Sequence, residues 1–364
     1  MGYEIIKSEK DFLMLEEKWV FLFEELEEKN IFKSFSWNYS WWNEIKQTNS
    51  LFIVTFFSNI PEKLCAIFPF AIDAKGVLRF IADTHSDYSD ILISSGLDRS
   101  ELYEISKTFN QIIENSNEIL AIELKNLTSS YGYLSIILSS FNDKKVFYNS
   151  NASSNMIIQG NDFSSCFSHL KAKKRNKLKR LLKKHSTFST RLYFSNNHTF
   201  PESTIKDIVQ EMKDNGTRDQ NFLNSTLLKI IRTLYENNHL IIHEVYDNDK
   251  TLVMNFILHH QSSQNYLIWI SVYRNIPKIH IASYLLFIEK MCKNSKDFII
   301  LDFGRGLYDY KIHNFLPEIY LQFTFFYAKN NIVFFKYIFK RMIFDLIKPF
   351  YKKHKKIINK ALRR

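Results

Sequence analysis

Strand-length apolar runs and amphipathic helical stretches take turns along this chain, and the order starts over near residue 165. That recurrence limits the fold more than any single motif. Residues 9–29 place Phe12, Leu15, Trp19, Leu22, Phe23 and Leu26 at helical spacing. After an aromatic segment at 32–42, strands are expected near 51–57, 64–70 and 77–82. A helix is expected at 98–115, a strand at 119–125 and a helix at 129–140. The second series begins with a basic helix at 165–185 and a strand at 188–194. Helices at 201–213 and 223–237, strands at 240–246, 251–259 and 265–272, a helix at 279–293 and a strand at 298–302 follow. Alternation of this kind predicts α/β units with mixed sheets, and the 364 residues have room for two. The letters themselves show no repeat.

Charge is unevenly placed. Residues 171–184 hold nine Lys/Arg and no acid, and residues 329–364 hold twelve Lys/Arg and one Asp. Removing these segments, at +9 and +11, from the chain's net +11 leaves −9 for the remainder. An acidic body with two basic elements suits local binding of an anion or an anionic surface, not general coating of nucleic acid. From about 331 a helical tail is expected. Lys336, Lys340, Arg341, Asp345, Lys348 and Lys352 form one stripe, and Phe334, Phe335, Ile338, Phe339, Met342, Ile343, Phe344, Leu346 and Ile347 fill the remaining wide face. That division fits a helix in an anionic membrane surface, or one packed on protein. No run reaches the ~18 apolar residues of a spanning helix, and residues 1–10 hold no signal core. Cys65, Cys166 and Cys292 share no ligand spacing and suggest no disulfide framework. The expected location is cytosolic, with peripheral attachment to the inner membrane face as an option.

Two polar stretches stand out. Asp83 to Asp90 places three carboxylates and His85 between apolar strands, which suits a general base, an acceptor site or simply a polar loop. Leu301 to Lys311 runs out of an apolar strand through Gly304 and Gly306, two of only eight glycines. A sharp turn at a strand end is expected there, carrying Asp302, Arg305, Tyr308, Tyr310 and Lys311. Nucleophile elbows, Walker loops and dinucleotide fingerprints are missing from the sequence, and no ligand set for a metal is legible.

In this order the segments resemble the CelD/BcsL-like acetyltransferase family, a branch of the GNAT superfamily related to FemABX-type peptidyltransferases. The resemblance rests on Phe32 through Trp37 with Trp41-Trp42, on Ala66-Ile67-Phe68-Pro69-Phe70 and on Ser86-Asp87-Tyr88-Ser89-Asp90-Ile91-Leu92. It continues in Arg175 to Arg180 and in Leu301 to Gly306 with Tyr310-Lys311. It implies tandem GNAT-like domains over 1–160 and 161–328, followed by the basic amphipathic tail at 329–364. It also implies direct transfer of an acetyl or other acyl group from acyl-CoA to an amine or hydroxyl of a sugar or cell-envelope precursor. By the same resemblance Lys311 would meet the donor or stabilise charge. Asp87 and Asp90 would bind or deprotonate the acceptor, and Trp37, Tyr88, Tyr310 and Arg305 would bind substrate. No metal is implied. The segment before the 279–293 helix lacks the glycines of a pyrophosphate loop, and Arg274, Lys278 and His280 stand there as candidate donor ligands. An aminoacyl-tRNA donor acting on a peptidoglycan precursor is therefore a second reading. A non-catalytic binder of an anionic polymer or nucleic acid through 171–184 is a third.

Overall fold

In the computed structural model, residues 1–347 are described apart from 28, 59–62, 84, 129–131, 142–144, 159–161, 262, 295–297 and 344–345. The chain opens with β1 (Gly2–Ile6), α1 (Glu9–Met14), α2 (Glu16–Glu25) and α3 (Phe35–Ile45). Ser8 and Ser34 cap α1 and α3 by accepting backbone N–H groups, which satisfies donors that a helix start leaves open. An antiparallel meander follows, made of β2 (Asn49–Phe57), β3 (Leu64–Asp73) and β4 (Val77–Phe80). The short β5 (Leu92–Ile93) pairs back on β3. A capping box of Asp98 and Glu101 starts α4 (Arg99–Asn115), which crosses over to β6 (Ala121–Leu127), parallel to β4. α5 (Tyr133–Leu138) and β7 (Val146–Ile158) come next.

The same succession then returns. α6 (Phe163–Cys166), α7 (Ala172–Lys184), β8 (Ser189–Tyr193), α8 (Glu202–Asp214) and α9 (Ser225–Glu236) precede a second meander. It consists of β9 (Leu240–Asp247), β10 (Lys250–His259) and β11 (Asn265–Tyr273). α10 (Ile279–Asn294) crosses over, β12 (Ile299–Arg305) runs parallel to β11, and α11 (Asp309–Phe315) follows. β13 (Glu318–Ala328) then leaves this half and inserts between β6 and β7, antiparallel to both. The resulting sheet runs β1-β2-β3-β4-β6-β13-β7-β12-β11-β10-β9-β8. The two parallel crossovers stand on either side of the β13–β7 pair, so the halves repeat in structure although not in letters.

Helices cover both faces. α1, α2, α3, α8 and α9 share one core that includes Phe12, Trp19, Trp37, Ile208, Ile231 and Leu234. On the other face α4 and α5 cover the first half, and α6, α7, α10 and α11 cover the second. Several elements depart from the sequence reading. The 9–29 helix breaks at Leu15, and the 165–185 helix is two pieces with a turn between them. α3 forms in the aromatic segment, and β7 and β13 form where no strand was expected. α7 docks through buried Leu178, with Leu181 and Leu182 partly buried, which matches its thin apolar stripe. Cys166 and Cys292, 126 residues apart, form a disulfide between α6 and α10. The expectation of three unpaired cysteines is thereby corrected, because spacing in sequence is blind to a contact made by packing. Among the described residues no helix is long and apolar enough to cross a membrane.

Candidate active site

The glycines of the 301–311 stretch make the turn that sequence predicts. Gly304 and Gly306 have φ of +67° and +90°, a region that favours glycine. Asp302 and Arg305 pair with Asn155 and Ser153 of β7, so β12 carries one extra residue there, a bulge that re-aims the strand end. A Cβ on Gly304 would collide with Oδ2 of Asp87. That carboxylate is partly buried and accepts the N–H of Arg305 at 3.2 Å, with Arg305 Nε 3.8 Å from its other oxygen, which restricts its movement. Gly304→Ala should therefore cost about 3 kcal/mol of stability through the strained φ and the contact together. A urea midpoint equal to wild type would show that the turn is looser than this geometry requires.

Each residue of the 86–90 loop meets a different element. Ser86 Oγ accepts from Trp37 Nε1 at 3.0 Å, which fixes α3 to the loop. Asp87 holds the Gly304–Arg305 turn, and its carbonyl accepts from Gln322 of β13 at 2.7 Å. Burial pushes the Asp87 carboxyl up, against the pull of Arg305 and Lys311. Tyr88 reaches Asp302. Ser89 N–H donates to Asn126 O at 2.8 Å. Asp90 lies 3.6 Å from buried Lys33, an ion pair that joins the loop to the start of α3.

Asp302 is the chemical centre of this arrangement. Its Oδ1 accepts from Tyr88 Oη at 2.6 Å and from Gly304 N–H at 2.7 Å, and its Oδ2 accepts from Tyr320 Oη at 3.2 Å. The two phenol oxygens are 2.5 Å apart. Burial pushes the Asp302 carboxyl up to about 7, against the hydrogen bonds of Tyr88 and Gly304. A proton count points the same way. A neutral carboxyl and two phenols bring three protons to a three-sided ring, one for each edge. Ionised Asp302 leaves only two, so one edge lacks a proton and the ring is ready to take one from a ligand.

Tyr88, Asp302 and Tyr320 line a cavity of about 700 Å³, together with Asn155, Asn265 and His259. Burial pulls His259 down to about 4, so its imidazole is neutral, and it stacks on Tyr266 with ring centres 4.3 Å apart. Asn155 Oδ1, Asn265 Oδ1 and His259 Nδ1 have no hydrogen-bond partner among the described residues. β11 and β12 pair only at Asn265, Tyr266 and Leu267 and have no register partners farther along, and Trp269 falls out of step in a bulge against β10.

The structure distributes the sequence candidates unevenly. Tyr88 lines the cavity. Trp37 is fully buried and braces the loop, packed edge-on to Trp269. Lys311 is buried, and its ammonium donates to the carbonyls of Gly304, Arg305 and Gly306 at 3.1–3.2 Å and to that of Phe303. Through these bonds Lys311 holds the turn together. Burial pulls it down to about 8, while Asp87 and Asp302 hold it up. Tyr310 packs against His280 and Tyr284.

Arg274, a candidate donor ligand in the sequence, is engaged by protein groups. Its guanidinium bonds Glu211 at 2.6 Å, Asp207 at 2.5 Å and the carbonyl of Thr251 at 2.7 Å, which leaves it committed to protein partners. Lys278 is exposed, with φ +62°, just before α10. Burial, with the nearby Arg218 charge, pulls the His280 imidazole down from its ordinary value. Among the described residues no group of His, Cys, Asp or Glu is set to hold a metal. Tyr320 and the role of Asp302 were not singled out from sequence. The signal for Tyr320 was the alternation Ile319-Tyr320-Leu321-Gln322-Phe323, which marks a strand with one polar face.

No protein-family model and no curated protein matches the chain. Solved structures do. The structure of FemX is similar over 92% of this chain and 99% of its own, with a TM-score of 0.59 at 9% identity. A conserved protein of unknown function from Bacteroides thetaiotaomicron is similar over 90% and 100%, with a TM-score of 0.53 at 11% identity. The L-PGS structure from Bacillus licheniformis is similar over 76% and 84%, with a TM-score of 0.51 at 11% identity. At 9–11% identity the likeness is one of fold, and it does not single out the CelD/BcsL-like family. The chain has the tandem GNAT-like fold that these neighbours represent.

Proposed function

We propose that this chain is an acyltransferase that moves an acyl group from acyl-CoA to a hydroxyl or amine of a sugar or cell-envelope polysaccharide precursor. One observation carries the reading: a buried carboxyl pushed up to about 7, ringed by two phenols, at the wall of a ligand-sized cavity. Asp302 takes the proton from the acceptor O–H or N–H as that atom attacks the acyl carbonyl. The acyl–sulfur bond breaks, the new acyl–oxygen or acyl–nitrogen bond forms, and the thiolate leaves to be protonated by solvent. Backbone N–H groups of β11, beyond its last register partner on β12, are the candidates to receive the carbonyl oxygen. A peripheral position at the cytosolic membrane face belongs to the same reading.

The second reading, an aminoacyl-tRNA donor acting on a peptidoglycan precursor, is favoured by two observations. Arg274 is not free for a pyrophosphate, and α7 keeps most of its Lys and Arg side chains exposed. A donor screen separates the readings. Thermal stabilisation by acetyl-CoA with no effect of RNA is the expected result. RNase-sensitive transfer would assign the donor to tRNA, and binding of RNA without any transfer would leave an anionic-polymer binder.

A further inference from the structure

A helix at 331–343 follows β13, and its inner side is settled. Asn330 Oδ1 accepts the N–H of Val333 at 2.8 Å and starts it. Val333, Phe334 and Tyr337 pack on the body, with the Tyr337 ring stacked on Phe326 at 3.5 Å between centres. The Tyr337 hydroxyl donates to Glu123 at 3.1 Å. The helix is thus anchored, yet its outer side is strongly apolar. Ile332, Phe335, Phe339 and Met342 are 59–80% exposed, and Leu346 and Ile347 beyond them are also exposed. Single exposed apolar residues are ordinary, but with Ile343 there are seven large ones among the described residues of 332–347, a patch that marks a contact surface. Exposed Lys336 and Lys340 lie beside it. Residues 348–364 add eight Lys/Arg and no acid.

We propose that the outer face of this helix rests on an anionic lipid bilayer surface. Apolar side chains flanked by cations match the acyl-chain boundary below and the anionic headgroups beside it. A second copy of this chain fits the face less well. Self-pairing would bring Lys336 and Lys340 toward their own equivalents, and like charges oppose that contact. Nucleic acid would use the lysines but not the phenylalanines. The helix covers Phe326, and Tyr320 of the active-site cluster lies six residues away on the same face of β13, roughly 20 Å along the strand. The inference does not depend on the reading of that cluster.

Co-sedimentation of the full chain with lipid vesicles tests it. Wild type is expected to partition onto vesicles containing phosphatidylglycerol and not onto pure phosphatidylcholine, with binding that weakens as salt rises. Phe335→Ser with Phe339→Ser should lower partitioning by at least about tenfold. Lys336→Gln with Lys340→Gln should lower it about thirtyfold at low salt. Both pairs are exposed, so thermal melting should stay at the wild-type value and separate lost binding from lost folding. Equal partitioning of wild type and both variants would overturn the proposal. So would a concentration-dependent dimer, seen by light scattering, that Phe335→Ser with Phe339→Ser dissociates, because it would give the face to a second copy.

Discussion

Asp302→Asn is expected to lower turnover about a thousandfold, because it removes the base and keeps the shape of the carboxyl. The same substitution should stabilise the protein at pH 8. The folded-state value of Asp302, about 7, lies above its ordinary value of 3.8. Between those values the folded chain binds more protons than the unfolded chain. This group's contribution therefore makes stability fall as pH rises from about 4 to about 7, and the loss stays complete above that window. Asn carries no charge and escapes it. A variant that is inactive, and more stable than wild type at pH 8 but not at pH 4, would show that the site holds a destabilising group for its chemistry. Urea denaturation at the two pH values checks the stability half. An Asn variant that keeps wild-type turnover would remove Asp302 as the base.

Lys311→Met should have a large effect on the fold around the site. The methionine chain fills similar volume but leaves the carbonyls of residues 303–306 without their shared donor. Buried acceptors left unpaired cost about 1–3 kcal/mol each, and relaxation of the turn recovers part of that. A net loss of about 3 kcal/mol is expected. The Asp87 carboxyl should rise further, because Lys311 is one of the charges that hold it down. The wild-type pH dependence has a definite sign. A lysine whose folded value is lowered to about 8 from 10.5 adds stability as pH rises through that window. The Met variant should lack this alkaline gain. A variant as stable as wild type but defective in binding acetyl-CoA would return Lys311 to the donor-contact role that the family resemblance implies.

Much of this arrangement was legible in the sequence, and the omissions have physical causes. The two meanders and their crossover helices were visible because each strand and helix carries its own apolar period. Gly304 and Gly306 announced the turn because few other residues adopt its backbone angles. β7 escaped because Asn149, Ser150, Asn151, Ser153, Ser154 and Asn155 read as a loop. These residues lie in a strand because β12 and β13 pair with it on either side, and central pairing overrides weak strand preference. β13 stayed unread, and Tyr320 with it. Its place beside β6 comes from a chain crossing between the halves that local periodicity does not encode. Asp87, Asp90 and Lys311 looked like chemistry because they are charged residues clustered at strand ends. In the structure all three make contacts that hold the loop and the turn, and the carboxyl raised to about 7 is that of Asp302. The Cys166–Cys292 contact was invisible for the same reason as Tyr320: both are made by packing, across large separations in the chain.

The central claim is that Asp302 titrates near neutrality within its ring of Tyr88 and Tyr320. It can be tested without knowing either substrate. Asp side-chain carboxyl carbons are labelled with 13C, and NMR spectra of wild type and Asp302→Asn are compared across the pH range. The account predicts one carboxyl signal, absent from the variant, with a midpoint near 7. A signal assigned to Asp302 that titrates near 4, like an exposed aspartate, would contradict it.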